Sequence, residues 1–433
     1  MRTIPFNEAP DEMDHYIVCK FIGDKGRLPV FGKDLSSYWM NSFTKLPVTR
    51  EEVEYYNNAA SQYSQRVLYE IRFFPEILDP YISYVLSAFL MKIVSLFSQD
   101  PSCAVFAARF VSVIFGTLTA LLTFFIAKRI FPKDDYLPLL SAVFIGALPQ
   151  FTFVSSYINQ DAFSAFAATL VFFAWLKCLD AWNAKTAAFL GCALGLVVLS
   201  KINAYGVLLL NGLFMSIFLR KNLRLWLIAA LCVMATAGWF FLSNYFTFGY
   251  VWPRYLSVQH LNSLLAVTPE FISQNSMTYY KWEWSFLNLF LNLHFISFWG
   301  LFGWMDVTMP ANYYFFAKGI SLIAFVGFLY GVLKRPPGFF QDKAKKILLF
   351  MGALIPIIFF MSLFFAVTDT FQAQGRYFFP AICPISIIFS FGWLSLAKSS
   401  HRKRLIFISI ATLLVSVNIF SYFISIIGTY YLR

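Results

Sequence analysis

Apolar runs of 18 or more residues recur through most of this 433-residue chain. About 20 such residues are what a helix needs to cross a bilayer. Backbone amides in lipid must bond within their own segment, so spans of this kind are helices. Charged residues make up 13% of the chain, against about 25% in a soluble domain. The sequence therefore predicts an all-α polytopic membrane protein.

Ten apolar helices are expected, near 104–131, 136–157, 162–182, 185–200, 203–219, 223–245, 313–333, 346–368, 378–397 and 404–427. The net charge of +12 has a plainer source than nucleic-acid binding. Its basic residues gather in short loops: Lys128, Arg129 and Lys133; Arg220, Lys221 and Arg224; Lys334, Arg335, Lys343, Lys345 and Lys346; and Lys398, Arg402, Lys403 and Arg404. If each helix crosses once, all four sets fall on one side, as the positive-inside rule requires.

Two further apolar stretches, 80–97 and 285–304, do not fit as spans, because counting the second would move the HRKR loop to the wrong side. They read as helices lying in the outer interface, where aromatic rings are favoured. The organisation expected is 1–103 as an extracytoplasmic first loop with an interface helix, 104–245 as a first bundle of six spans, 246–312 as a large outer loop with a second interface helix, and 313–433 as the last four spans. An outward N-terminal loop with no span before it leads to the expectation of a further span upstream. Of six cysteines, none forms a C-x-x-C pair, so no metal or redox motif is present. Cys19 and Cys103 fall on the same side and are open to pairing.

Four polar segments stand on the outer side: APDEMDH, with Asp11, Glu12, Asp14 and His15; YINQDAF, with Asn159, Gln160 and Asp161; SKINAYG, with Lys201; and TDTFQAQGRYFFP, with Asp369, Gln372, Gln374, Arg376 and Tyr377. Taken singly, each has a plain reading. Asp161 suits a helix N-cap, Lys201 a snorkelling side chain, Arg376 a helix-end anchor, and the acidic run a solvated loop. Together they are more informative, because ionisable groups at membrane depth are costly and usually functional. A carboxylate takes a proton from an acceptor hydroxyl or amine. Arginine grips phosphate oxygens in pairs, and lysine adds a point charge. That set suits a phosphate-activated donor whose lipid tail lies in the bilayer. A hard divalent cation is compatible with clustered carboxylates, but the spacing identifies no ligand set and no cofactor is assigned.

These residues carry a resemblance to the GT-C superfamily of membrane glycosyltransferases, which includes protein O-mannosyltransferases and the lipid A aminoarabinose transferase. DEMDH at 11–15 resembles the D-E-x-x-H kind of acidic motif in the first outer loop of such proteins, and LDPYISYVL at 78–86 loosely matches the interface segment that follows. A bacterial GT-C-like branch is closer. Its hallmarks are matched in order by APDEMDH, PQFTFVSSYINQDA, FWGLFGW at 298–304 and QGRYFFP at 374–380.

The resemblance implies a GT-C-like helical bundle with extracytoplasmic loops, and an activity moving a sugar from a polyprenyl-phosphate donor to an envelope glycan, such as an O-antigen, or to a lipid or protein. It implies the bacterial inner membrane, with the site facing the periplasm or exterior. Asp11, then Glu12, is the expected general base. Asp161 would position the acceptor or share that role. Arg376 and Lys201 would hold the departing phosphate, supported by Gln374 and Tyr377. Asp14, His15 and Asn159 would support the acids, and Trp299 and Trp304 would stack on sugar faces. The rival expectation is a transporter or flippase of lipid-linked sugars, which predicts internal repeats and a midplane site; no repeat is evident.

Overall fold

The computed structural model describes residues 4–30, 34, 82–219, 222–252, 283–334, 343–368 and 371–432. Asp369, Arg220, Lys221, Arg335, residues 78–81 of the first interface segment and residues 253–282 of the large loop lie outside these. In chain order the elements are α1 (Glu12–Lys25), α2 (Ile82–Ser95), α3 (Pro101–Ile130), α4 (Tyr136–Ala147), α5 (Pro149–Val154), α6 (Asp161–Asp180), α7 (Ala184–Val198), α8 (Gly206–Phe218), α9 (Leu223–Phe248), α10 (Trp284–Trp299), the antiparallel pair β1 (Leu301–Phe302) and β2 (Val307–Thr308), α11 (Ala311–Leu333), α12 (Lys343–Gly352), α13 (Leu354–Thr368), α14 (Ile382–Ser395) and α15 (Ser400–Phe420). A π-helical stretch, Ser421–Ile427, and a last turn, Gly428–Tyr431, continue α15.

Among the described residues, seven stretches are long and apolar enough to cross a membrane, and four apolar helices are shorter. The chain is an all-α polytopic membrane protein. Two expected spans are broken by proline. The stretch from 136 divides at Leu148, which is extended just before Pro149, the conformation that a following proline imposes. The stretch from 346 divides after Gly352, whose carbonyl the ring nitrogen of Pro356 cannot bond. Elsewhere helix starts are capped as their sequences suggest. The Asp100 carboxylate accepts from the Ser102 amide with Pro101 in the first turn, and Asn183 and Thr186 form a capping box.

Apolar side chains such as Phe315, Phe360 and Leu231 face outward around the bundle, as lipid contact allows. Inside, small residues let helices approach closely. A side chain on Gly392 of α14 would overlap the Ala324 carbonyl of α11. The membrane-crossing windows of α6 and α14 are the most enclosed, 72% and 78% buried, against 22% for the last one. Asp161 starts the first of these central helices, and Arg376 lies in the turn that leads into the second. All six cysteines are free, so Cys19 and Cys103 do not pair.

Charge separates the two ends. At one, Arg129 pairs with Asp180, Lys403 with Asp134, and Lys128 Nζ with Asp135 at 2.9 Å. Asp161 begins the helix that Asp180 ends, and 20 helical residues span about 30 Å. The cluster around Asp161 therefore lies at the other end of the bundle. The two apolar stretches expected outside the spans are helical, as α2 and α10.

Candidate active site

Three loops and the start of α1 bring distant charges together. Asp161 comes first because its helix start is already satisfied. Asn159 Oδ1 accepts from the Asp161 and Ala162 amides at 2.8 and 3.2 Å, and its Nδ2 donates to the Tyr157 carbonyl at 2.9 Å. Asn159 thus does the capping work that Asp161 suited, and the Asp161 carboxylate turns to two cations. Lys201 Nζ lies 3.1 Å from Oδ1, and Arg376 Nη1 lies 3.6 Å from Oδ2.

Lys201 sits in the turn between α7 and α8, just before a 3-10 turn, Ile202–Ala204. That turn is docked on α6, where the Ser164 hydroxyl donates to Asn203 Oδ1 at 3.0 Å. The ammonium also stands over the Tyr377 ring, 5.5 Å from its centroid. Arg376 lies in a second 3-10 turn, Gly375–Ala381, that leads into α14. Gly375 makes this turn fit: its amide donates to Ser297 Oγ at 2.7 Å, and a side chain there would collide with the Phe298 backbone. The guanidinium is then held by Gln374 Oε1, which accepts from Nε at 2.5 Å, and by the Tyr157 hydroxyl, which accepts from Nη1 at 2.8 Å. Its Nη2 has no protein partner among the described residues. The Tyr377 hydroxyl donates to Gln372 Oε1 at 2.5 Å.

The acids of DEMDH take different places. Asp11 is the N-cap residue of α1 with a left-handed backbone, φ 61°. Such a conformation is costly for a non-glycine residue and gathers at functional sites. Its half-buried carboxylate makes neither a cap bond, an ion pair nor any other hydrogen bond among the described residues. Glu12, expected beside it as a base, is instead fully buried and doubly bound. Arg109 Nε donates to Oε1 at 2.6 Å and Nη2 to Oε2 at 2.7 Å. The amides of Ile158 and Asn7 add to the same oxygens, each at 3.2 Å, while Arg109 Nη1 donates to the Ile4 carbonyl at 2.8 Å. This pair pins the N-terminal segment, α3 and the loop before α6 to one another. Arg109, inside an apolar span, is a residue that the motif-based reading missed. Its signal was in plain view, since an arginine at membrane depth calls for a partner.

Asp14 is buried in α1. His15, one turn beyond Asp11, shares a 2.6 Å hydrogen bond with the Tyr84 hydroxyl of α2, which also accepts from Gln160 Nε2 at 2.7 Å. Burial pushes the imidazole from 6.5 down to about 4; the Asp11 carboxylate raises it, Lys201 and Arg376 lower it, and Asp161 raises it. His15 is neutral at pH 7, and all four of these charges act on it.

The two tryptophans separate. Trp299 is 2% exposed and packs edge-on against Phe144 in the core, so it presents no face to a sugar. Trp304 is 49% exposed, and its indole donates to the Asn7 carbonyl at 3.0 Å, bracing the segment that leads to Asp11. The described residues contain no group of three or more metal-ligating side chains.

The chain's fold resembles that of the archaeal oligosaccharyltransferase AglB from Archaeoglobus fulgidus, solved in complex with an inhibitory peptide and a dolichol-phosphate. The match has a TM-score of 0.51 at 13% identity and covers 95% of this chain and 51% of that one. This chain spans about half the length of that protein, and at such identity the likeness is one of fold alone. No curated protein matches. A family model matches residues 51–385, a stretch that includes Asp161, Lys201 and Arg376. The chain is an integral membrane protein and belongs to the family described as predicted membrane protein (DUF2142).

Proposed function

We propose that this protein is a glycosyltransferase that moves a sugar from a polyprenyl-phosphate donor to an envelope glycan or another acceptor at the outer face of a bacterial inner membrane, in the GT-C-like branch whose motifs it shares. The observation that carries this reading is the convergence of Asp11, His15, Asp161, Lys201 and Arg376 at one end of the bundle. The likeness of fold to a protein solved with a dolichol-phosphate supports a lipid-linked donor. The cluster's distance from the basic loop ends supports the outward face, and its place at the bundle's end favours a transferase over a transporter with a midplane site.

In the proposed reaction Asp11 takes the proton from the acceptor hydroxyl or amine as that atom attacks the anomeric carbon. The bond from that carbon to the phosphate oxygen breaks, and its electron pair leaves on the phosphate. Lys201 and Arg376 neutralise the charge that develops there, which lowers the barrier. One displacement inverts the anomeric configuration. Asp161 is the counter-ion that keeps two cations in place while no phosphate is bound. A buried cation without such a partner is strongly disfavoured. Glu12 anchors Asp11 through Arg109 and takes no proton itself. Trp304 braces the N-terminal segment through the Asn7 carbonyl, and no sugar-stacking part is assigned to Trp299.

The test is transfer from a synthetic polyprenyl-phosphate hexose by membranes carrying the wild-type protein or Asp11→Asn, Asp161→Asn or Arg376→Gln, each checked for membrane insertion. Loss in the variants supports the assignment, and full activity in all three overturns it.

A further inference from the structure

A small, half-open cleft, with room inside for about one water or one oxygen atom of a ligand, lies beside Arg376, between the N-terminal segment, α5, the β1–β2 turn and the QGR turn. Its polar lining includes Gln150, Tyr157, Gln374 and Arg376. The orientation of each group is fixed by what it already binds. Gln150 Oε1 accepts from the Leu301 amide at 2.7 Å, and Gln374 Oε1 accepts from Arg376 Nε at 2.5 Å. Each amide oxygen already accepts one hydrogen bond, while each NH2 group has no partner among the described residues and is left to donate. The Tyr157 hydroxyl accepts from Arg376 Nη1 and keeps its own hydrogen. Ser297, also in the lining, is committed in both directions, to the Gly375 amide and the Leu293 carbonyl.

The available side-chain groups are thus donors: two amide NH2 groups, a hydroxyl and the unpartnered Nη2 of an arginine that is only 8% exposed. No carboxylate lines the cleft among the described residues; Asp306 folds back onto Gly303 within the hairpin turn. A neutral sugar hydroxyl both donates and accepts, so it suits a mixed lining. An oxyanion only accepts, and donors around a cation in a small, partly apolar cleft suit it.

We infer that the cleft is an oxyanion seat in which Gln150 and Gln374 are ligands beside Arg376. This rests on the lipid-phosphate reading of the same site; it adds Gln150 to it and makes Gln374, expected there as a support, a direct ligand. The oxyanion is either the phosphate of the donor lipid or an anionic group carried by the acceptor.

Calorimetry on the full chain in a nonionic detergent tests this, with inorganic phosphate and polyprenyl phosphate as separate probes. Gln150→Glu and Gln374→Glu keep the oxygen that Leu301 N or Arg376 Nε requires and replace the donor with a charge. A purely structural glutamine would survive this change. Each variant is expected to weaken phosphate at least about tenfold, the scale of one lost hydrogen bond to a charged group. Displacement of inorganic phosphate by polyprenyl phosphate would identify the lipid headgroup as the source; binding of inorganic phosphate that polyprenyl phosphate does not displace would identify the acceptor. Wild-type affinity in both variants, or binding of neither probe by the wild type, overturns the inference. Asp11→Asn is expected to bind phosphate at least as tightly as the wild type, so loss of transfer and loss of the oxyanion seat remain separate results.

Discussion

The Arg109 guanidinium clasps the Glu12 carboxylate in a two-point fork, 2.6 and 2.7 Å, with both side chains shut away from solvent. The residue next to Glu12 is Asp11, whose carboxylate is uncommitted. A buried pair holds the backbone next to the acid proposed as the general base.

Breaking the fork leaves a buried charge without its partner, which costs about 3–5 kcal/mol. Arg109→Leu and Glu12→Gln are each expected to lower thermal stability in detergent by an amount on that scale. Their double-mutant cycle should show strong coupling, because the two share one interaction. Additive effects would show that the fork is no pin.

Asp161→Asn leaves Lys201 and Arg376 without their counter-ion. The variant is expected to be less stable than the wild type in chloride and to gain more stability on adding inorganic phosphate, since an anion takes the vacant place. Thermal unfolding in matched chloride and phosphate buffers checks this. Equal phosphate gains in both proteins would contradict it.

His15 is held neutral, with its imidazole pushed down to about 4 from 6.5. Between these values the unfolded chain binds the proton and the folded one does not. Stability therefore rises with pH in this window and is lost as pH falls from 6.5 towards 4, by at most about 1.4 kcal/mol per unit from this group. His15→Gln should flatten the fall measured by thermal unfolding from pH 7 to pH 4. His294, also lowered by its burial, contributes in the same direction, and its slope should persist in that variant.

Gly375→Ala places a methyl group against the Phe298 backbone, where no side chain can swing aside. Overpacking of this kind costs about 1–3 kcal/mol. The QGR turn is expected to shift and carry Arg376 with it. Weaker phosphate binding, together with lower thermal stability, is the expected pair of results.

Much of the architecture was legible because lipid leaves the backbone few choices. Apolar length located the helices, and the basic loops ordered their ends. The four polar segments were also visible, since charges beside apolar runs stand out. What they do to one another was not. Asp161 looked like a cap, and only the fold shows Asn159 two residues earlier taking both amides. Asp11 and Glu12 are neighbours of one type, but a helix start turns them towards different surroundings, one to an open site and the other to Arg109. Trp299 and Trp304 sit in one motif, yet the first ends α10 and is buried in the core, while the second lies in the β1–β2 turn and is half-exposed. Adjacency in sequence says little about side-chain direction at a turn.

Sugar transfer driven by Asp11 is tested most directly in cells of the native host. The gene is deleted and complemented with the wild type or with Asp11→Asn, and envelope glycans, lipids and proteins are compared by mass spectrometry. The predicted result is a species that loses one sugar's mass on deletion, regains it with the wild type, and stays unmodified with Asp11→Asn, a general base being worth about 10²–10⁴ in rate. Full restoration by Asp11→Asn would contradict it.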